Sequence, residues 1–112
     1  QFGGAELAAL DSLPSGQVQT LGEDGSLAMI ASFRAADGTL CREYETTQDD
    51  DLRLVLACRE EGGWVARFAA LSTDAGQDYR PASGEGSIDA AITDLGASAP
   101  MTAEEEAAAL AE

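Results

Sequence analysis

Histidine and lysine are both absent from this chain, and with them goes most familiar side-chain chemistry. A Ser-His-Asp triad, a Cys-His pair, a Schiff-base lysine, a P-loop lysine and a histidine-ligated zinc site are all excluded. Catalysis would have to rely on a carboxylate pair, a lone thiol or a tyrosine. Among 21 acidic residues some pair lies close by chance, and no spacing singles one out, so the expectation is a protein that is not an enzyme and carries no cofactor. Positive charge is also scarce: the six basic residues are all arginine, and the net charge is -15. Such a surface repels phosphate backbones and anionic headgroups, which speaks against nucleic-acid partners and polybasic membrane docking. Its plain consequence is solubility.

Long apolar runs are missing too. None approaches the roughly 18 residues a membrane-spanning helix needs, so no direct membrane insertion is expected of these residues. The start shows no initiator methionine, basic n-region or apolar h-region, and Gln1 reads as a processed terminus or an artificial cut. The expectation is a soluble part of a larger, membrane-anchored protein. Large core-forming side chains are limited, because much of the 45% apolar content is alanine. A domain of this size then needs a staple.

The residues that are present predict an α+β fold, a four- to five-stranded antiparallel meander with short flanking helices at both ends, in a single domain over 1–112. Leu7, Leu10 and Leu13 mark a helix over 4–11, which Pro14 ends. Between 17 and 71, apolar runs alternate with turn chemistry at Ala36-Asp37-Gly38, Gln48-Asp49-Asp50-Asp51 and Glu61-Gly62-Gly63, the spacing of a sheet. Three alternating stripes form the expected core: Leu27, Met29, Ala31 and Phe33; Leu52, Leu54, Leu56 and Cys58; Trp64, Ala66, Phe68 and Ala70. A loop over 72–86 carries Tyr79 and Arg80, the expected partner-binding patch, since exposed Tyr and Arg on a loop have hot-spot composition. Helices follow over 87–95, capped by Ser87 and stopped by Gly96, and over 103–111, opened by a Thr102/Glu105 capping box.

Cys41 and Cys58 are the only cysteines, and each opens a Cys-Arg-Glu triplet. With the turn centred between Asp49 and Asp50, Cys41 falls opposite Cys58, close enough for a disulfide in a non-hydrogen-bonded pair. The alternative is two reduced, buried cysteines acting as small hydrophobes; a reactive thiol lacks the neighbours that would activate it. The same register sets Glu43 and Glu45 opposite Leu56 and Leu54. A one-residue slip would instead align Leu40 and Tyr44 with the leucines, and a bulge would reconcile the two. Arg42 and Arg59 are expected on the surface, paired with Glu43, Glu45 or Glu60 to little energetic effect. Trp64 and Tyr44 read as core or edge aromatics. The acidic clusters Glu23-Asp24 and Asp49-Asp50-Asp51 lack the ligand spacing of a calcium loop and read as solvated turns.

The stretch from Ala31 to Glu45, followed by Ala57-Cys58-Arg59-Glu60-Glu61-Gly62-Gly63-Trp64, is similar to segments of the 17 kDa surface-antigen type of bacterial outer-membrane lipoprotein. With Leu13-Pro14-Ser15-Gly16 upstream and Tyr79-Arg80-Pro81-Ala82-Ser83-Gly84 downstream, it also resembles extracytoplasmic domains of proteobacterial membrane-bound anti-sigma-factor-like regulators. The glycine-zipper segment of the surface-antigen type and a sigma-binding segment are not among these residues. The resemblance implies a periplasmic or extracytoplasmic location and a protein partner in the envelope. It implies a sensory or binding domain of such a regulator, with two alternatives: a structural surface-antigen-like envelope protein, and a carboxylate-dependent hydrolase.

Overall fold

The structure, a computed structural model, describes residues 4–21, 25–48, 51–61, 63–72, 80–81, 88–97 and 99–111. The chain runs α1 (Gly4–Ser12), β1 (Val18–Thr20), β2 (Gly25–Arg34), β3 (Leu40–Gln48), β4 (Asp51–Glu60), β5 (Gly63–Ser72), β6 (Arg80–Pro81), α2 (Ile88–Asp94) and α3 (Ala103–Leu110). All strand pairings are antiparallel and spatial order equals chain order. Short polar turns allow nothing else: each strand folds back beside the one before it. In the β2–β3 turn, Gly38 takes a positive φ of 91°, Asp37 accepts from the Thr39 N–H at 3.0 Å, and Arg34 donates to the Gly38 carbonyl. The expected four to five strands are present as β1–β5, with the two-residue β6 added at the edge.

The expected single core divides into two, one on each face of the sheet. On the first face, Ala9 and Leu10 of α1 pack with Leu27, Met29, Tyr44, Val55 and Ala57. On the second, Phe33, Cys41, Leu56, Cys58, Phe68 and Ala70 pack beneath Ala91, Ile92 and Leu95. Two irregularities cause the division. The β2–β3 register shifts between Met29 and Ala31, so Leu27 and Met29 face α1 while Ala31 and Phe33 face α2. The β4–β5 register shifts around Arg67, which separates Trp64, packed against the α1 cluster, from Phe68 and Ala70 opposite. An extra residue inverts the alternation beyond it, and simple i, i+2 counting across it assigns the wrong face.

The cysteine hairpin itself is regular. Cys41 opposes Cys58, Glu43 opposes Leu56 and Glu45 opposes Leu54, with no shift between β3 and β4. The conflict posed by the two glutamates disappears because both sheet faces are covered. Tyr44 and Arg42 point toward α1, and Glu43 and Glu45 share the α2 face with the cysteines. Strand β4 is accordingly buried on both sides, at Val55 and Ala57 as well as Leu56 and Cys58.

The helices dock for different reasons. In α1 the inward positions are Glu6, Ala9 and Leu10, with Leu13 half-buried just past its end, while Leu7 is exposed; the expected leucine stripe is therefore rotated, and a carboxylate occupies its first position. Helix α2 ends at Gly96, with φ 68°, where a Cβ would lie 2.7 Å from that of Ala36. The Ala36 N–H donates to the Leu95 carbonyl at 3.0 Å, fixing the end of α2 to the β2–β3 turn. Helix α3 opens with the capping box: Glu105 N–H donates to Thr102 Oγ1, and the Thr102 N–H donates to Glu105 Oε1.

Candidate functional site

The two Cys-Arg-Glu triplets acquire a meaning from the pleat. Successive side chains of a strand point to opposite faces, so Cys41 and Cys58 meet under α2 while Arg42 and Arg59 reach toward α1 and α3. The cysteines form a disulfide, with S–S 2.07 Å and Cα atoms 3.9 Å apart, and both are buried. A cleft of about 460 Å³ lies beside them, bordered by Asp37, Glu60, Arg67 and Asp94.

On the opposite face, Arg42 is fully buried and is the largest such side chain among the described residues. This overturns its expected surface placement, and Glu106 is its partner instead of Glu43, Glu45 or Glu60. All five guanidinium N–H groups are used. Nε donates to Ser32 Oγ at 2.8 Å. Nη1 donates to the carbonyls of Ala9 at 3.1 Å and Leu10 at 2.9 Å. Nη2 donates to the Leu13 carbonyl and, at 3.1 Å, to Glu106 Oε2. Helix α1 has no basic residue in its last turn, so Arg42 supplies from the sheet both the charge and the donors that its terminal carbonyls need. Arg59 serves α3 in the same way: it donates to the Ala109 carbonyl at 3.0 Å and lies 5.9 Å from the centre of the Trp64 ring.

Glu106 closes the cradle. Its carboxylate accepts from the Ser15 N–H at 2.8 Å and from the Ser15 hydroxyl, the Ser32 hydroxyl and Arg42. Burial by itself pushes this carboxyl's pKa up, but the Ser15 and Ser32 hydroxyls, the Ser15 amide and the Arg42 charge outweigh it and hold it below the ordinary value. Burial lowers the pKa of Arg42 against the opposing pull of Glu106. Since the folded glutamate binds its proton less readily than the unfolded one, its contribution is complete above the ordinary value of 4.5. It is lost as pH falls through the lower folded pKa. The stability gap between the parent and Glu106→Gln, read from urea midpoints, should therefore be widest near neutral pH and narrow below about 4.5.

A second polar contact lies along the same face. The buried Tyr44 hydroxyl donates to Glu6 Oε2, which also meets Arg53 at 3.2 Å. Burial, then the contact with Glu6, raises the Tyr44 pKa far above that of a free phenol. The contribution is thus complete below the ordinary value of 10 and is lost as pH rises through the folded pKa. Tyr44→Phe should cost about 1–3 kcal/mol, because a mostly buried carboxylate loses a donor; denaturation at pH 7 measures it. Among the described residues no buried side-chain nitrogen or oxygen lacks a partner.

Of the residues expected to act, the cysteines are joined, while Tyr79 lies outside the described residues. Arg80 is in β6, its backbone paired with Leu71. Glu6, Ser15, Ser32 and Glu106 were not expected. The parity of β3 held a signal for them: an arginine between Leu40 and Tyr44 on a core-facing row needs a buried carboxylate nearby. Chemically, the cradle holds a carboxylate, that of Glu106. Its charged groups are consumed in mutual contacts, and no metal-holding group of three or more acidic or cysteine residues occurs among the described residues.

A family model described as the 17 kDa outer membrane surface antigen matches residues 8–65, just over half of the 112 residues. No curated protein and no solved structure matches the chain. The matched stretch contains α1 from Ala8 onward, the cysteine hairpin and Arg42. It supports the surface-antigen alternative and lends none to the anti-sigma-factor-like regulator.

Proposed function

Because the chain belongs to the 17 kDa outer membrane surface antigen family, we propose that it is a structural, non-catalytic module of the cell envelope, held on the extracytoplasmic side and presenting a rigid surface to a protein partner. The disulfide carries this reading. A buried bridge between the two central strands needs an oxidising compartment to form and persist, and it adds stability where the alanine-rich core is thin. Two further features support it. Among the described residues the buried charged groups, Arg42 with Glu106 and Glu6 with Tyr44, tie helices to the sheet. The strong negative charge keeps the module off anionic lipid and nucleic acid. No helix among the described residues is long and apolar enough to cross a membrane, and the proposed anchorage falls to a segment outside these residues.

The test is cell fractionation of the full-length gene product expressed with its natural leader, with free thiols trapped at lysis. The protein should sediment with the envelope and yield no free thiol even after denaturation. A cytosolic pool with two free thiols would overturn the reading. Co-isolation of a sigma factor with the envelope-bound protein would restore the regulator instead.

A further inference from the structure

The cradle has the composition of a ligand site whose ligand is part of the same chain. Four donors converge on the single carboxylate of Glu106: the Ser15 amide, the Ser15 hydroxyl, the Ser32 hydroxyl and Arg42 Nη2. Four of the five Arg42 N–H groups are satisfied without α3, by Ser32 and the carbonyls of Ala9, Leu10 and Leu13. The guanidinium is therefore already oriented, with one N–H directed at the carboxylate. Ser15, Ser32 and Arg42 all lie within the family-matched stretch 8–65, and Glu106 lies well beyond it.

Helix α3 carries its own start signal. Its capping box is internal, so the donors of its first turn are satisfied without help from the sheet. Among the described residues it is held to the body by Glu106, by the Arg59 bond to Ala109 and by the buried methyl of Ala109, with the Met101 N–H donating to the Ser32 carbonyl at 2.9 Å just before it. Glu104, Glu105, Ala107 and Ala108 are exposed. Beside it a cleft of about 700 Å³, lined by Asp11, Pro14, Ser15, Met101, Ala107 and Leu110 among others, leaves room for larger side chains than α3 supplies.

We propose that Ser15, Ser32 and Arg42 form a carboxylate-recognition site for a short glutamate-bearing helix, that α3 is its resident ligand, and that an alanine-rich acidic helix of a partner protein can take α3's place. The acidic body disfavours long-range attraction of such a partner, so recognition rests on the buried, directed donors, which salt screens little.

The test uses the full chain with a protease site placed in the link between α2 and α3, cut after folding, and a fluorescent peptide of residues 99–112. The peptide should displace the resident fragment in a single-site isotherm while the sheet's circular dichroism stays unchanged. A peptide carrying Glu106→Gln should compete at least about tenfold more weakly, having lost the charge-assisted contacts, and one carrying Glu104→Gln should compete like the parent. Equal competition by the Glu106→Gln peptide would overturn the proposal. So would loss of the sheet signal as the fragment leaves, or failure of the fragment to exchange, since either makes α3 an integral part of the folding unit.

Discussion

Arg42→Met is expected to destabilise the protein more than any other single substitution considered, by about 3–5 kcal/mol, the usual cost of breaking a buried ion pair from one side. Methionine keeps much of the stem's volume but removes all five donors. The Glu106 carboxylate, nearly inaccessible to water, then loses its countercharge. The carbonyls of Ala9, Leu10 and Leu13 lose the Arg42 donors, so the end of α1 is loosened together with α3. Against a total stability of roughly 5–15 kcal/mol for an ordinary domain, this is a large share of what holds the chain folded. Arg42→Lys should recover only part of the loss, because an ammonium has three donors and no fork. Arg42→Met combined with Glu106→Leu should be less damaging than the sum of the two, since an apolar pair leaves no orphaned charge. Urea denaturation of these variants and of Glu106→Leu alone measures this. A loss below about 1 kcal/mol for Arg42→Met would mean that the pair is exposed to solvent and contributes as a surface bridge does.

Removal of the disulfide is the second large effect. Replacing both cysteines by alanine opens a loop with a sequence separation of 17, worth about 3 kcal/mol in the chain-entropy account. It also thins the packing among Phe33, Leu56, Phe68 and Ile92. For a chain of this length the combined change corresponds to a fall in Tm of about 10 °C or more. Calorimetry on the double variant, and on protein reduced in denaturant and refolded in the presence of reductant, should agree. Because both cysteines are buried, the native protein should resist dithiothreitol until it unfolds. Rapid reduction under native conditions would show that the hairpin opens locally.

Some of this was legible in the residues and some was not, and the division follows the range of the interactions. The Thr102/Glu105 box and the Gly96 stop depend on neighbours a few positions apart, and the structure shows both. The Cys41–Cys58 pairing depended on the turn between β3 and β4, so spacing put it forward, while the one-residue slip and the reduced pair stayed open until the folded register excluded them. The faces of β2 and β5 were misjudged because the extra residues at Ile30 and Arg67 carry no distinctive turn chemistry, and one inserted residue inverts everything beyond it. Glu106 was hidden among Glu104, Glu105 and Glu106. Consecutive residues point about 100° apart around a helix, so one of the three had to face inward once α3 docked, but nothing local says which.

By itself, then, the sequence determined an acidic antiparallel meander flanked by helices, with two cysteines placed on neighbouring strands and no histidine or lysine chemistry; local turn geometry and elementary charge counting suffice for each of these. Only the tertiary structure decided that the sheet is covered on both faces, and that the arginines of the two Cys-Arg-Glu triplets reach helix ends instead of water. It also decided that a glutamate 64 positions away completes the cradle of Arg42. A buried charge is tolerable only where partners from distant segments converge on it, and that convergence is a property of the folded chain, not of any stretch along it.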